Sequence, residues 1–295
     1  MPEFQLPQDL VDRVQFHKPD VDAILEEGLM CADMHFHTNY SDSFTKVEWA
    51  LALAEKRRVG LTMSDHNLIG GITKAFEINK PDGPFLVPGI ELGSWEGPHI
   101  LAYFYSLNDL KDYWEHYTRP HLAHCPWLNM NKGVEWILDS LEGYSCVVSA
   151  AHPLGYLWST KGIQKAINKN WFDEDIAKRF DAYEAICSGM FRNENIASRD
   201  AAIKYGLGFT GGSDGHLLSE VGKVLTVSDA TDLDSFLDNI VKHKNIVVGK
   251  EKMIPKKFVM GTTSLIRFVT RHPISSFHTR FELIRYNGTH DKPGS

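Results

Sequence analysis

The sequence predicts an α/β protein built on a mostly parallel sheet or barrel. Short apolar, strand-like runs alternate with amphipathic helical stretches through most of the 295 residues, the order that buries a sheet beneath crossover helices. Four short strings follow directly on such runs: Asp33-Met34-His35-Phe36-His37, Ser64-Asp65-His66, Ala151-His152-Pro153 and Gly212-Ser213-Asp214-Gly215-His216. Residues at the ends of parallel strands converge on one rim of a barrel. With 43% hydrophobic and 23% charged content, the chain can bury a full core as one large domain or two small ones.

Val47, Ala50, Leu51 and Ala54 share one side of a helix predicted over 47–58, with Gly60 as its stop. Leu61-Thr62-Met63 reads as a strand running into Ser64-Asp65-His66. A second helix is predicted over 72–79, a short strand at 85–87 ending in a turn at 88–91, and another strand over 99–105. The stretch 106–131 breaks this rhythm with Trp114, His116, Tyr117, Pro120, His121, His124, Pro126 and Trp127, and is expected to lie over the barrel mouth and shape the substrate pocket. Regularity returns with a helix over 133–141, a buried strand over 145–150 and helical material between 161 and 180. A strand over 182–187, a helix over about 193–205 and a strand over 207–210 complete the series.

The formal net charge of -7 argues against holding duplex DNA through a general basic surface. Cys31, Cys125, Cys146 and Cys187 lack C-x-x-C spacing, which suggests neither a zinc knuckle nor a disulfide framework. Reduced thiols, an acidic start with no secretory pattern, and the lack of a run of about 18 apolar residues lead to the expectation of a cytoplasmic protein without a spanning helix.

An H-x-H string is expected about once by chance in a chain with 14 His, so placement carries the argument. His35 and His37 straddle one position of an extended segment and therefore project to the same side, as two ligands of one ion must. Asp42 follows in the same loop, and Gly211, Gly212 and Gly215 are expected to let the backbone bend around Asp214 and His216. Imidazoles mixed with carboxylates and no thiolate suit manganese, iron or zinc in a hydrolytic centre. Two such ions about 3.5 to 4 Å apart can activate a hydroxide and stabilise the entering and leaving oxygens of an in-line displacement at phosphorus. Asp33 and Asp65 could orient imidazoles or bind backbone. His121, His124 and Cys125 show no fourth partner with metal spacing.

The ordered series H-x-H, Asp-His, Glu, His, His-Pro and S-D-x-H, from about 31 to 248, resembles the polymerase and histidinol phosphatase (PHP) domain of metal-dependent phosphoesterases. The resemblance implies a distorted barrel of seven parallel strands with outer helices. It also implies three divalent ions: His35, His37, Glu91 and Asp214 on the first; Asp42, His66 and His216 on the second; Glu91, His99 and His152 on the third. These nine are the expected catalytic set. The His99 position and the G-S-D-x-H ending are most similar to the small-nucleotide phosphatases and short-RNA exonucleases. Between His99 and His152, those relatives carry a longer basic helical insertion, and this chain the shorter aromatic segment.

The expected substrate is a small phosphorylated molecule, a phosphomonoester, nucleotide or short single-stranded nucleic acid, with Arg192 and Lys161 as candidate phosphate contacts. Rival readings are a catalytically silent binding module on the same barrel and a metal-dependent amide or lactone hydrolase. The expected layout is an N-terminal extension over 1–30, the phosphoesterase domain over 31–249, and a partly disordered basic extension over 250–295, where basic residues outnumber acidic ones nine to three. In that extension Leu265, Ile266, Phe268 and Val269 with Arg267 and Arg271 make a short basic amphipathic stretch, read as a helix docked on the barrel, with an anionic partner, single-stranded nucleic acid or a membrane surface as the alternatives.

Overall fold

The computed structural model describes residues 5–156 and 159–272. Its strands are β1 (Val14–Gln15), β2 (Met30–Asp33), β3 (Gly60–Leu61), β4 (Gly89–Gly93), β5 (His99–Phe104), β6 (Cys146–Ala150), β7 (Ala182–Cys187), β8 (Gly208–Gly212), β9 (Val224–Ser228) and β10 (Asn245–Gly249). The α-helices are α1 (Val21–Glu26), α2 (Val47–Arg57), α3 (Gly70–Ile78), α4 (Leu107–Tyr113), α5 (Val134–Leu141), α6 (Ile163–Asn168), α7 (Arg192–Tyr205), α8 (Leu233–Val241) and α9 (Ile254–Arg271).

Two five-stranded sheets form, ordered β1-β10-β9-β2-β3 and β4-β5-β6-β7-β8. The α/β class is as expected, but among the described residues the ladders do not close a seven-stranded parallel barrel. β9 runs antiparallel to both β10 and β2, and β5 antiparallel to both β4 and β6. For β4 and β5 the reason lies in the connection: residues 94–98 are too few for the crossover a parallel pair requires, so the chain turns back on itself. The sheets meet through isolated parallel bridges, Leu61 with Leu86 and His66 with Glu91 on one side and Phe36 with Gly215 on the other. These bridges bring together the strand ends that carry the histidines.

α2 buries Val47, Ala50, Leu51 and Ala54, the face its spacing predicts. It ends at Arg58, whose φ of 55° is left-handed, rather than at Gly60. Gly60 instead sits in β3, where an added Cβ would come within 2.7 Å of the Phe85 ring and 2.9 Å of the Cys31 carbonyl. The expected turn at 88–91 is largely strand β4, and Gly89 marks a close approach: its Cβ would meet Thr62 Oγ1 at 2.5 Å. β9 and β10 had no counterpart in the sequence reading.

The aromatic stretch divides in two. Its start is α4, whose Tyr113 is buried and stacks on Tyr117, with Phe104 and Tyr144 nearby. Its end returns beside β4, where Asn67 Nδ2 donates to the Pro126 carbonyl and Met130 N donates to the Gly93 carbonyl. No helix among the described residues is long and apolar enough to cross a membrane. The expected disorder of the last residues concerns a part outside the described residues.

Candidate metal centre

Phe36 is fully buried, and that burial, worth roughly 1.5–3 kcal/mol, fixes which way the strand end after β2 faces. Alternation then sends His35 and His37 to the opposite side, where both are inaccessible to solvent. Gly212 and Gly215 make room for this segment: a Cβ at Gly212 would lie 2.3 Å from His35 Cβ, and one at Gly215 2.5 Å from the Phe36 ring. The bend expected of these glycines is made by Asp214 itself, at φ 44°. His152 (φ 29°) and Asn67 (φ 53°), next to His66, are also left-handed. Such conformations cost energy in residues with a Cβ and concentrate at functional sites.

All nine expected ligands come together. Four groups have donor atoms lying within 4.8 Å of one another: His37, Asp42, His66 and His216; His35, His37 and Asp214; His35, Glu91 and His152; His66, Glu91 and His99. The partition differs somewhat from the one the resemblance implies, since His37 also joins the Asp42 group, and His99 and His152 meet through Glu91. Both rings approach Glu91 Oε1, His99 Nδ1 at 2.8 Å and His152 Nε2 at 3.0 Å. Glu91 Oε2 lies 2.7 Å from His66 Nδ1, 3.4 Å from His37 Nε2 and 3.5 Å from His35 Nε2.

Burial and charge oppose each other throughout the cluster. Burial favours the neutral form of Glu91, but His66, His99 and His35 outweigh it and hold the carboxyl well below its ordinary range. Asp42 and Asp214 are lowered in the same way, burial being overridden chiefly by His216 and His35 respectively. Burial also works against a charged His35, yet Glu184, Glu91 and Asp214 raise it well above its usual value. His216 is lifted to about 9 because Asp42 prevails over burial. His37 falls to about 3 through burial and the neighbouring His216 and His66.

A cation would resolve what remains unpaired. His37 Nδ1, Asp42 Oδ1, His66 Nδ1, Glu91 Oε2 and His152 Nδ1 are buried without a hydrogen-bond partner. His66 Nδ1 and Glu91 Oε2 face each other without hydrogen-bond geometry, as two ligands of a shared ion do. Unsatisfied buried polar atoms each cost about 1–3 kcal/mol. A donor set of imidazoles and carboxylates fits manganese, iron or zinc.

Asp33 and Asp65 hold backbone and hydroxyl groups rather than imidazole rings. Asp33 accepts from Ser213 N and Gly222 N, each at 2.8 Å, and Asp65 accepts from Thr38 N at 2.7 Å and Ser41 Oγ at 2.5 Å. The larger omission of the sequence reading is Glu184. His35 Nδ1 donates to its Oε1 at 3.0 Å, leaving Nε2 to face the cluster, and His152 N donates to its Oε2 at 2.7 Å. A lone carboxylate inside the buried strand Ala182–Cys187 was the available signal. Tyr156, whose hydroxyl donates to Asp214, carried no comparable signal. Glu184→Gln keeps the shape but disturbs the tautomer-fixing acceptor, so metal affinity is expected to fall about 10–100-fold, as measured by chelator competition.

The basic candidates separate. Lys161 lies close enough to His99 that, after burial, its charge helps push that ring down to about 3. Arg192 pairs with Glu251 and lies 4.5 Å over the Phe16 ring, outside the four ligand groups. His121, His124 and Cys125 enter no candidate cluster among the described residues.

The PHP-associated family matches residues 192–245, the segment that supplies Asp214 and His216. Solved structures share the fold at low identity. A candidate metal-dependent phosphoesterase from Bifidobacterium adolescentis is 17% identical, with a TM-score of 0.53 over 72% of this chain and 96% of its own. A two-domain protein from Bacteroides vulgatus containing a predicted PHP-like metal-dependent phosphoesterase is 13% identical, with a TM-score of 0.54 over 84% and 70%. Endonuclease Q, in complex with a 27-mer duplex bearing an abasic lesion, is 14% identical, with a TM-score of 0.58 over 76% of this chain and 60% of its own. No curated protein matches the sequence. The chain thus carries a PHP-associated segment, which supplies Asp214 and His216, within a fold shared with PHP-like proteins.

Proposed function

We propose that the chain is a metal-dependent phosphoesterase acting on a phosphomonoester, small nucleotide or short oligonucleotide, with 31–249 as its catalytic unit. The observation that carries this is the convergence of nine imidazole and carboxylate side chains in one cluster, five of which keep a buried atom without a hydrogen-bond partner. His35, His37, Glu91 and Asp214 would hold one ion, Asp42, His66 and His216 a second, and Glu91, His99 and His152 a third. Manganese, iron or zinc bound there supplies Lewis acidity and a nucleophilic water near neutral pH. Glu184 fixes His35 with Nε2 turned inward, and Lys161, on the His99 side, is the better placed of the two basic residues to meet a non-bridging phosphate oxygen. The four free cysteines fit a reducing compartment such as the cytoplasm.

The test is turnover by manganese-loaded protein of a phosphomonoester, a phosphodiester, a nucleotide 3',5'-bisphosphate, a short RNA and an abasic duplex. Hydrolysis of one of the first four supports the reading. Activity confined to the duplex would replace the substrate class, and full metal loading with no turnover at all would favour a silent binding module.

A further inference from the structure

The C-terminal helix reaches the metal cluster directly. Ser264 Oγ donates to Asp42 Oδ2 at 2.6 Å. One turn on, Arg267 Nε donates to the Ser41 carbonyl at 2.9 Å, and its Nη2 donates to the Asn39 carbonyl. The guanidinium also lies 5.1 Å from the Phe44 ring and 5.3 Å from that of Trp127. Apart from Trp127, these contacts all fall on the loop that carries Asp42.

α9 makes these contacts with its polar side. Val259, Leu265, Ile266 and Val269 stay exposed while Phe268 is half-buried, so most of the apolar side chains described on this helix are left uncovered. Burial of those side chains therefore does not explain why 264–267 sits where it does, whereas the bonds to the Asp42 loop do. Asp42 receives one further hydrogen bond, from His216 Nε2 at 3.1 Å on the same Oδ2, while its Oδ1 is buried and partnerless. A carboxylate gripped through one oxygen presents the other in a fixed direction.

We propose that Ser264 and Arg267 are positioning residues for the ion assigned to Asp42, His66 and His216, so that docking of α9 and occupancy of that position are thermodynamically coupled. Ser264 sets the Asp42 carboxylate, and Arg267 sets the backbone on which Asp42 rides. Coupling of this kind is reciprocal: the ion tightens the helix as much as the helix tightens the ion. The inference rests on the metal-dependent reading above.

The experiment uses the full chain loaded with Mn²⁺ alone. Ions per chain and affinities are measured by competition with a chromogenic chelator for wild type, Ser264→Ala, Ser264→Thr and Ser264→Ala/Arg267→Ala, and amide exchange across 254–271 is followed in wild type with and without Mn²⁺. Ser264→Ala is expected to weaken one class of ion about 10–100-fold with the others unchanged, Ser264→Thr to restore it, and Mn²⁺ to slow exchange in α9. Unchanged affinity in the double variant, uniform weakening of every ion, or metal-independent exchange would each overturn the proposal. A wild-type chain that takes up no Mn²⁺ is a separate result, and it overturns the metal centre itself.

Discussion

Asp214→Asn is expected to strip ions from the centre and to lower phosphoester turnover by more than the roughly 100-fold that loss of an outer partner costs. Asparagine is the informative replacement because Asp214 sits at φ 44°, a region that Asn tolerates and Ala does not, so the backbone survives while the charge is lost. Without that carboxylate, His35 and His37 face each other at 3.1 Å between Nε2 atoms, and among the described residues Glu91 is the carboxylate left beside both of those nitrogens. Lys252 Nζ, which donates to the Asp214 carbonyl at 2.7 Å, and Ser213, bonded to Asp33, still hold the turn. Metal content by elemental analysis and turnover should therefore fall together. A variant that keeps its ions and at least a tenth of its activity would remove Asp214 from the centre.

His35, His37, His66, His152, Asp214 and His216 were legible because they follow strand-like runs, whereas Asp42 was read from its place in the loop after His37, and Glu91 and His99 from the ordered series of the resemblance. His35 and His37 are the clearest of these: one side of the segment buries Phe36, so the other carries both imidazoles. Strand direction was not legible. β9 and β5 look like any buried apolar run, and what reverses them is pairing on both edges, which periodicity does not encode. Glu184 was passed over because its strand reads as core, and a single buried charge acquires meaning only when His35 and His152 arrive from distant segments. The C-terminal helix was expected to dock on the barrel; what its amphipathic pattern did not tell is that Ser264 and Arg267 meet a carboxylate and two carbonyls in the loop carrying a candidate ligand.

Metal uptake should release protons and strengthen as pH rises towards about 9. An imidazole must be neutral to bind an ion, and His216 is lifted to about 9, where Asp42 prevails over burial, while Glu184, Glu91 and Asp214 raise His35 well above its usual value. His37 and His99, pushed to about 3 chiefly by burial, are already neutral and give up nothing in this range. Each proton displaced makes apparent affinity climb about tenfold per pH unit. In the metal-free chain the raised His216 contributes stability that is complete below its unfolded value near 6.5 and is lost as pH rises through about 9. Loading works in the opposite sense, adding roughly 4 kcal/mol at a thousandfold excess over Kd. The gap between loaded and metal-free unfolding midpoints should therefore widen from about pH 6.5 to about pH 8. Calorimetric titration in buffers of different ionisation enthalpy should detect the proton that His216 gives up. A gap that narrows with pH, or uptake with no proton release, would mean that this ring does not meet the ion.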